Sequence, residues 1–380
     1  MLEKNIEKEL FEKSLEDKIS RESVEKLYKC LKNRGYKDDE IKIFNSFLST
    51  YVKYMRDTFS LKDDYIFDGI CNLFSDEKVA ETIKKIVRKY LAEKNKEDRE
   101  REYKTLVINI VDGGIAPHNK EYRSYIGKIC SEFVDPSLER SDIKIEIINS
   151  IFCGIVNLIK YGEIKKEDRE RTLDNLLEDL KNENVLKFLF EKCGEKVAYN
   201  VIETGGVVAK YGKGVFAKFC ESLEKGEYTS KDIENLLSLF DGFGLLKHEN
   251  KDYIDKTCDT LSDKKIAETI KKYLDYKDEG DLEIIIPLNV LYFGAYFDRE
   301  CAARVCRIIN KSKIIGNEFA VKIAREFFEY TELLRQKGMD NAEITKKLYE
   351  MIELFENDSV LKFLQIVYEN RGRIRIFVEG

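Results

Sequence analysis

The stretch Ser75-Asp-Glu-Lys-Val-Ala-Glu-Thr-Ile-Lys-Lys85 decides the fold, because it returns as Ser262-Asp-Lys-Lys-Ile-Ala-Glu-Thr-Ile-Lys-Lys272. Nine of the eleven positions are identical, and the two that differ keep their polar or apolar character. The preserved pattern is that of an amphipathic helix with one buried stripe. We therefore interpret the chain as containing a duplicated helical unit.

A second motif recurs three times with a period near 90 residues. Asn109, Asn200 and Asn289 stand 91 and then 89 residues apart, and a glycine follows each of them by five residues. A third segment, Asn182-Glu-Asn-Val-Leu-Lys-Phe-Leu189, is matched by Asn357-Asp-Ser-Val-Leu-Lys-Phe-Leu364. The first and third units therefore resemble each other, as do the second and fourth. A duplicated pair of units, about 180 residues long, is the simplest explanation of these repeats.

The length and composition agree with a helical repeat array. A chain of 380 residues exceeds the usual size of one hydrophobic core, so it should form two domains or a repeat array. Only three prolines occur, and strand-like alternation is rare, which favours helix nearly throughout. We predict a first half over residues 1–190, with an N-terminal cap and two units. The second half, 191–380, holds two units and a strand-like C-terminal tail.

Each unit of about 90 residues has room for two helical hairpins of 40–47 residues. The segments Asp76-x-x-Val-Ala-x-x-Ile and Asp263-x-x-Ile-Ala-x-x-Ile resemble the second helix of HEAT repeats, and the chain is similar to HEAT/armadillo-like proteins. The basic residue that HEAT repeats usually carry after the valine is replaced by Ala80 or Ala267. This resemblance implies an all-α, right-handed α-solenoid of helical-hairpin repeats, with about four units duplicated as two halves.

Charge and cysteine usage indicate the compartment and the partners. The net charge is −6, with both signs interleaved, so no basic face is evident for nucleic acid or an acidic membrane. Nine cysteines without paired spacing, and no export signal, predict reduced thiols in the cytoplasm. The longest apolar run, 284–297, is too short for a bilayer span, so we expect no membrane partner. The abundance of Lys and Glu is typical of heat-adapted proteins.

No motif for bond chemistry is evident. The two histidines, His118 and His248, lack metal-ligand spacing, and the glycine-rich segment 206–214 does not fit the phosphate-binding pattern. We predict no catalytic residue, no metal and no cofactor. An enzyme that uses carboxylates on facing helices stays an open alternative, because 72 Asp and Glu are present but no pairing motif localises them.

The asparagine series allows two interpretations. Asn109, Asn200 and Asn289 could be partly buried amides that bond to a neighbouring helix or loop. They could also form a ladder on a concave face, resembling the asparagines with which armadillo-type solenoids hold the main chain of an extended peptide. Successive asparagines would then lie roughly 20 Å apart, which about six residues of extended peptide would span.

The C-terminal segment 370–380 alternates in a strand-like manner. Arg373, Arg375 and Phe377 would lie on one side of an extended segment, with apolar residues between them on the other. One interpretation is a frayed or folded-back tail. The other is that the segment adds as a strand to a partner or to a twin subunit, which would give a homodimer.

These patterns favour a binding function. We expect a non-catalytic scaffold or adaptor that presents a curved helical surface to a protein or an extended peptide. A nucleic-acid-binding or DNA-repair-type HEAT-like solenoid is the alternative, because 66 Lys and Arg could be gathered on one face by folding.

Overall fold

The computed structural model describes residues 21–93, 96–115, 120–140, 142–162, 164–247, 250–274, 284–315 and 317–371. Within these ranges the ordered elements are helices, and no strand occurs among them. None of the helices in these ranges is long and apolar enough to cross a membrane. The prediction of an all-α fold is confirmed.

The chain forms two compact units. The first contains Met1–Leu186 and Gly194–Gly206, and the second contains Lys187–Cys193 and Val207–Gly380. The helices that begin in the first unit are α1 (Arg21–Asn33), α2 (Asp38–Phe59), α3 (Asp63–Leu73), α4 (Glu77–Ala92), α5 (Lys96–Ile115), α6 (Lys120–Ile129), α7 (Asp135–Glu139), α8 (Ile145–Tyr161), α9 (Arg169–Leu180), α10 (Glu183–Lys187) and α11 (Gly194–Asn200).

The second unit contains the remaining helices. They are α12 (Val215–Lys225), α13 (Ser230–Phe243), α14 (Lys251–Ser262), α15 (Lys264–Leu274), α16 (Ile285–Tyr296), α17 (Arg299–Ile315), α18 (Asn317–Gln336), α19 (Asn341–Glu356) and α20 (Asp358–Arg371). Short 3₁₀ or π-helical turns connect several helices: Cys130–Val134, Lys166–Asp168, Phe188–Cys193, Val201–Gly205, Gly206–Tyr211 and Leu245–Lys247.

Each unit is built from two layers of helices between which the chain alternates. In the first unit, α1, α3, α5, α8 and α11 pack in succession to form one layer, which we name the front layer. Helices α2, α4, α6 with α7, and α9 form its back layer. In the second unit, α12, α14, α16 and α18 form the front layer, and α13, α15, α17 and α19 form the back layer.

Five side-chain hydrogen bonds between neighbouring helices of one layer span 40 to 42 residues. The pairs are Ser23 with Asp64, Asn109 with Asn149, Asn157 with Tyr199, Thr269 with Asn310, and Tyr292 with Glu332. Other bonds within a layer span 37 to 52 residues, as between Lys218 and Asp255 and between Arg304 and Glu356. The step from one helix pair to the next is therefore similar along each unit but not constant.

The duplicated stretch forms α4 in the first unit and α15 in the second. Asp76 accepts from the backbone N–H of Lys78 at the start of α4, and Asp263 accepts from that of Lys265 at the start of α15. These caps satisfy N–H groups that have no partner inside the helix. The apolar stripe of both copies is buried, as the repeated pattern predicts.

Equivalent lysines of α4 and α15 also make the same contact. Each reaches the turn that precedes the neighbouring back-layer helix, α2 in the first unit and α13 in the second. Lys84 donates to the Arg34 carbonyl and lies over the ring of Tyr36 at 5.5 Å. Lys271 donates to the Gly226 carbonyl and lies over the ring of Tyr228 at 5.6 Å. The repeat therefore covers the preceding hairpin as well as the helix whose sequence recurs.

Candidate functional site

Asn109 of α5 lies in the front layer of the first unit and reaches the next helix of that layer. Its amide donates to Asn149 Oδ1 over 2.8 Å and lies 3.2 Å from Cys153 Sγ, both on α8. All three side chains are half-buried. The contact joins α5 to α8 through polar groups at the edge of the surface.

Asn289 of α16 makes the equivalent connection in the second unit. Its side chain is buried, and its amide donates to the Ala324 carbonyl of α18 over 2.8 Å. Asn200 of α11 is half-buried, and its amide has no hydrogen-bond partner among the described residues. The three asparagines therefore occupy three different environments, and two of them bond to a neighbouring helix within their own unit. Their recognition of a partner stays a prediction.

The C-terminal candidate residues and the two histidines lie outside the residues that the structure describes. Arg373, Arg375 and Phe377 fall outside the described residues, as do His118 and His248. The strand-like tail and its role in a homodimer stay predictions.

A glycine stands five residues after each of the two bonded asparagines. At both positions another helix packs too closely to leave room for a Cβ. A Cβ at Gly114 would lie 2.3 Å from Leu73 Cδ1 on α3, and one at Gly294 would lie 2.0 Å from Thr260 Oγ1 on α14. In both units the glycine lets the preceding front-layer helix approach, while the asparagine bonds to the following one. The motif thus fixes the spacing of three consecutive helices.

The most distinctive surface of the second unit is an aromatic cluster across three front-layer helices. We name the tyrosine–arginine cluster by its members Tyr253 of α14, Tyr292 and Tyr296 of α16, and Phe328 and Arg335 of α18. The ring of Tyr296 lies 5.0 Å from Tyr253 and 4.6 Å from Tyr292, between centroids. The ring of Tyr292 lies 5.2 Å from that of Phe328. Helices that are adjacent in the layer bring these rings together.

Arg335 lies over two of the rings. Its guanidinium carbon is 4.5 Å from the centroid of Tyr296 and 5.2 Å from that of Tyr292. Glu332 accepts from the Tyr292 hydroxyl over 2.8 Å and lies 3.3 Å from the Arg335 guanidinium. Burial, together with the bond to Glu332, raises the pKa of Tyr292 well above its usual value, while the charge of Arg335 opposes this. The Tyr292 phenol therefore stays neutral and donates its hydrogen bond to Glu332 at the edge of the cluster.

The side chains of the cluster differ in their exposure to solvent. Tyr253 and Tyr292 are 5% and 9% exposed, Tyr296 and Arg335 are half-buried, and Phe328 is 36% exposed. An aromatic ring that is partly exposed beside a stacked guanidinium offers apolar contact area with a fixed charge at its edge. This combination is enriched at the energetic centres of protein interfaces.

Two cations of the front layer of the second unit are paired with carboxylates. Lys218 of α12 lies 3.1 Å from Asp255 and 3.0 Å from Asp259 of α14, and Arg335 is paired with Glu332. These two charges are therefore partly neutralised within the protein.

The described residues contain no arrangement typical of catalysis by a metal. No group of three or more His, Cys, Asp or Glu side chains in that part of the chain is placed to hold a metal ion. The sequence reading missed the tyrosine–arginine cluster, because its members are separated by whole helix pairs. The spacing of Tyr292 and Tyr296 by one helical turn was the only local signal.

Comparison of the chain with protein-family models, with curated proteins and with solved structures gave no match.

Proposed function

We propose that this chain is a non-catalytic binding scaffold that docks a protein or an extended peptide on its front layer. The tyrosine–arginine cluster is the observation that carries this proposal, because it gathers aromatic rings and a stacked arginine from three helices at one partly exposed place. Such residues supply a large contact area at a low cost in side-chain entropy.

The proposed architecture is a right-handed α-solenoid resembling HEAT and armadillo-like repeats, with a concave face lined by the front layer. The alternation between two layers and the repeated separation of 40 to 42 residues support it. A repeat array exposes more groove than a globule of equal mass, which suits a scaffold. The nine free cysteines support a reducing compartment such as the cytoplasm.

The test compares two exposed phenylalanines of the second unit. Phe328 belongs to the cluster, whereas Phe243, at the end of α13 in the back layer, is 55% exposed and lies outside it. Proteins captured from source cells by the wild-type chain are compared with those captured by Phe328→Ala and Phe243→Ala. A captured protein is then purified, and its Kd for each variant is measured by calorimetry.

We expect Phe328→Ala to weaken binding by about thirtyfold, the size of an interface hot spot, while Phe243→Ala changes little. Thermal melts of both variants establish that they are folded. Equal affinity of all three chains would refute the cluster as the docking site. A salt-dependent gel shift with generic DNA or RNA, in the absence of protein binding, would instead favour the nucleic-acid alternative.

A further inference from the structure

Four contacts, about one helical turn apart, join α1 and the turn after it to α3 and the turn after it in the first unit. The pairs are Ser23 with Asp64, Lys26 with Asp68, Cys30 with Cys71, and Arg34 with Ser75, at separations of 41, 42, 41 and 41 residues. The outermost two are a hydroxyl–carboxylate bond of 2.6 Å and a guanidinium–carbonyl bond of 2.8 Å. Because polar contacts flank them on both sides, the two cysteines are held in register.

The Cys30 thiol lies against the backbone of Cys71, and both residues are partly exposed. Cys30 Sγ lies 3.9 Å from the carbonyl oxygen of Cys71, and both residues are half-buried. Of the other cysteines, Cys153 is also half-buried, but burial raises the pKa of its thiol to about 11. The remaining six are buried: Cys130, Cys193, Cys220, Cys258, Cys301 and Cys306. Cys30 and Cys71 therefore differ from the other cysteines in contacting each other, and from the six buried ones in being partly exposed.

The environment makes the two thiols unequal. A side-chain hydrogen bond with Cys71, and to a smaller extent the charge of Arg34, lower the pKa of Cys30 to about 7 against the opposing effect of burial. The same bond, with burial, raises the pKa of Cys71. Lys26 lowers the pKa of Cys71, and Asp68 raises it. Near neutral pH about half of Cys30 is therefore thiolate, while Cys71 keeps its proton.

We propose that Cys30 and Cys71 form a thiol modification site that a hydroperoxide oxidises to an intramolecular disulfide between α1 and α3. A reactive thiolate beside a protonated resolving thiol is the arrangement that such chemistry needs. The inference concerns the first unit and is independent of the docking surface proposed for the second.

The reaction proceeds in two balanced steps. The Cys30 thiolate attacks one oxygen of hydrogen peroxide, the O–O bond breaks, and a sulfenic acid and hydroxide are formed. The Cys71 thiol then gives up its proton and attacks the sulfenic sulfur, which forms the S–S bond and releases water. Both sulfurs are oxidised by one electron equivalent each, and the peroxide is reduced to the oxidation level of water.

The first test treats the folded, reduced protein with a small excess of hydrogen peroxide. We expect the intact mass to fall by two hydrogens, and peptide mapping without reductant to recover one cross-linked pair that contains Cys30 and Cys71. The oxidised chain should melt at a higher temperature, since a cross-link closes a loop in the unfolded state. Retention of both thiols, or a disulfide that involves other cysteines or two chains, would overturn the proposal.

Variants assign the roles of the two sulfurs. Cys71→Ala should accumulate a sulfenic acid on Cys30 that dimedone traps, whereas Cys30→Ala should give no adduct at residue 71. Cys153→Ser is the matched control, and it should form the same cross-link as the wild-type chain. Circular dichroism of each variant establishes the native helix content before oxidation.

A pH profile tests the thiolate directly. Alkylation of Cys30 by iodoacetamide should be half-maximal near pH 7 in the wild-type chain. In Cys71→Ala the midpoint should move up towards the ordinary value for a thiol, because the side-chain hydrogen bond that lowers the pKa of Cys30 is lost. Tyr36 adds no charge in this range, since burial raises its pKa well above its usual value. A wild-type midpoint at the ordinary value would contradict the assignment of Cys30 as nucleophile.

Discussion

Helices α5 and α16 hold the same place in the two units, yet they face their surroundings differently. Each follows a copy of the duplicated helix, and each carries an asparagine and, five residues later, a glycine. Gly114 and Gly294 admit the preceding front-layer helix, and Asn109 and Asn289 bond to the following one. The helix spacing that this motif sets is shared by both units.

The two helices differ one helical turn after the asparagine. In the first unit Asp112 accepts from the Tyr51 hydroxyl over 2.9 Å, and the front layer offers amides and a thiol. At the matching place in the second unit, Tyr292 opens the tyrosine–arginine cluster. The comparison teaches that the backbone packing of a duplicated module can persist while its surfaces diverge. The diverged surface is therefore where we place the binding function.

The largest effect is expected from removing the buried amide. Asn289→Ala should lower the free energy of unfolding by about 3 kcal/mol, because it leaves a cavity between α16 and α18 and removes the buried hydrogen bond from the amide to the Ala324 carbonyl. Asn109→Ala should cost about 1 kcal/mol, since water can replace its half-buried partners. Urea denaturation of the two variants measures both values. Equal costs would show that the two environments are energetically alike.

The next effect comes from the close approach at the glycines. Gly294→Ala should destabilise the protein by about 2 kcal/mol, because the new methyl group meets the stiff, buried side chain of Thr260. Gly114→Ala should cost less, since the longer Leu73 side chain can turn away.

Gly242, where a Cβ would meet nothing within 4 Å, provides the control for this pair. Gly242→Ala should raise stability by about 0.5–1 kcal/mol through helix propensity. Thermal and urea unfolding measure all three variants. A neutral Gly294→Ala would mean that α14 and α16 are not held at this distance.

A smaller effect distinguishes the matching threonines of α4 and α15. Thr269 accepts from the Asn310 amide over 3.0 Å, whereas the buried hydroxyl of Thr82 has no nitrogen or oxygen partner among the described residues. Thr269→Val should therefore cost about 1 kcal/mol, and Thr82→Val should be tolerated within about 0.5 kcal/mol. Urea midpoints of the two variants measure the difference, and the reverse order would contradict the contacts described.

The smallest effect is expected at the third asparagine. Asn200→Ala should change stability by less than about 0.5 kcal/mol, because its half-buried amide has no partner to lose among the described residues. If the same variant weakens a partner that the cluster binds, the ladder interpretation gains support at this position. A large loss of stability with unchanged binding would exclude it.

Sequence reasoning worked where the deciding interactions are local. The buried stripes of α4 and α15 follow from the spacing of apolar residues within one helix, and the structure has them as expected. The sequence predicted only part of the role of the asparagine–glycine motif. Its period was visible, but the choice between a ladder and a helix contact depends on which helix lies beside it.

The sequence by itself determined that the chain is helical and built from repeated modules. Apolar residues at helical spacing report that one face is buried, and repeated segments report that the same burial recurs. The tertiary structure alone decided which side chains about 40 residues apart meet, as Asn109 meets Asn149 and Tyr292 meets Glu332. The physical reason is that a helix pattern encodes the presence of a neighbour but not its identity, which the packing of successive helices settles.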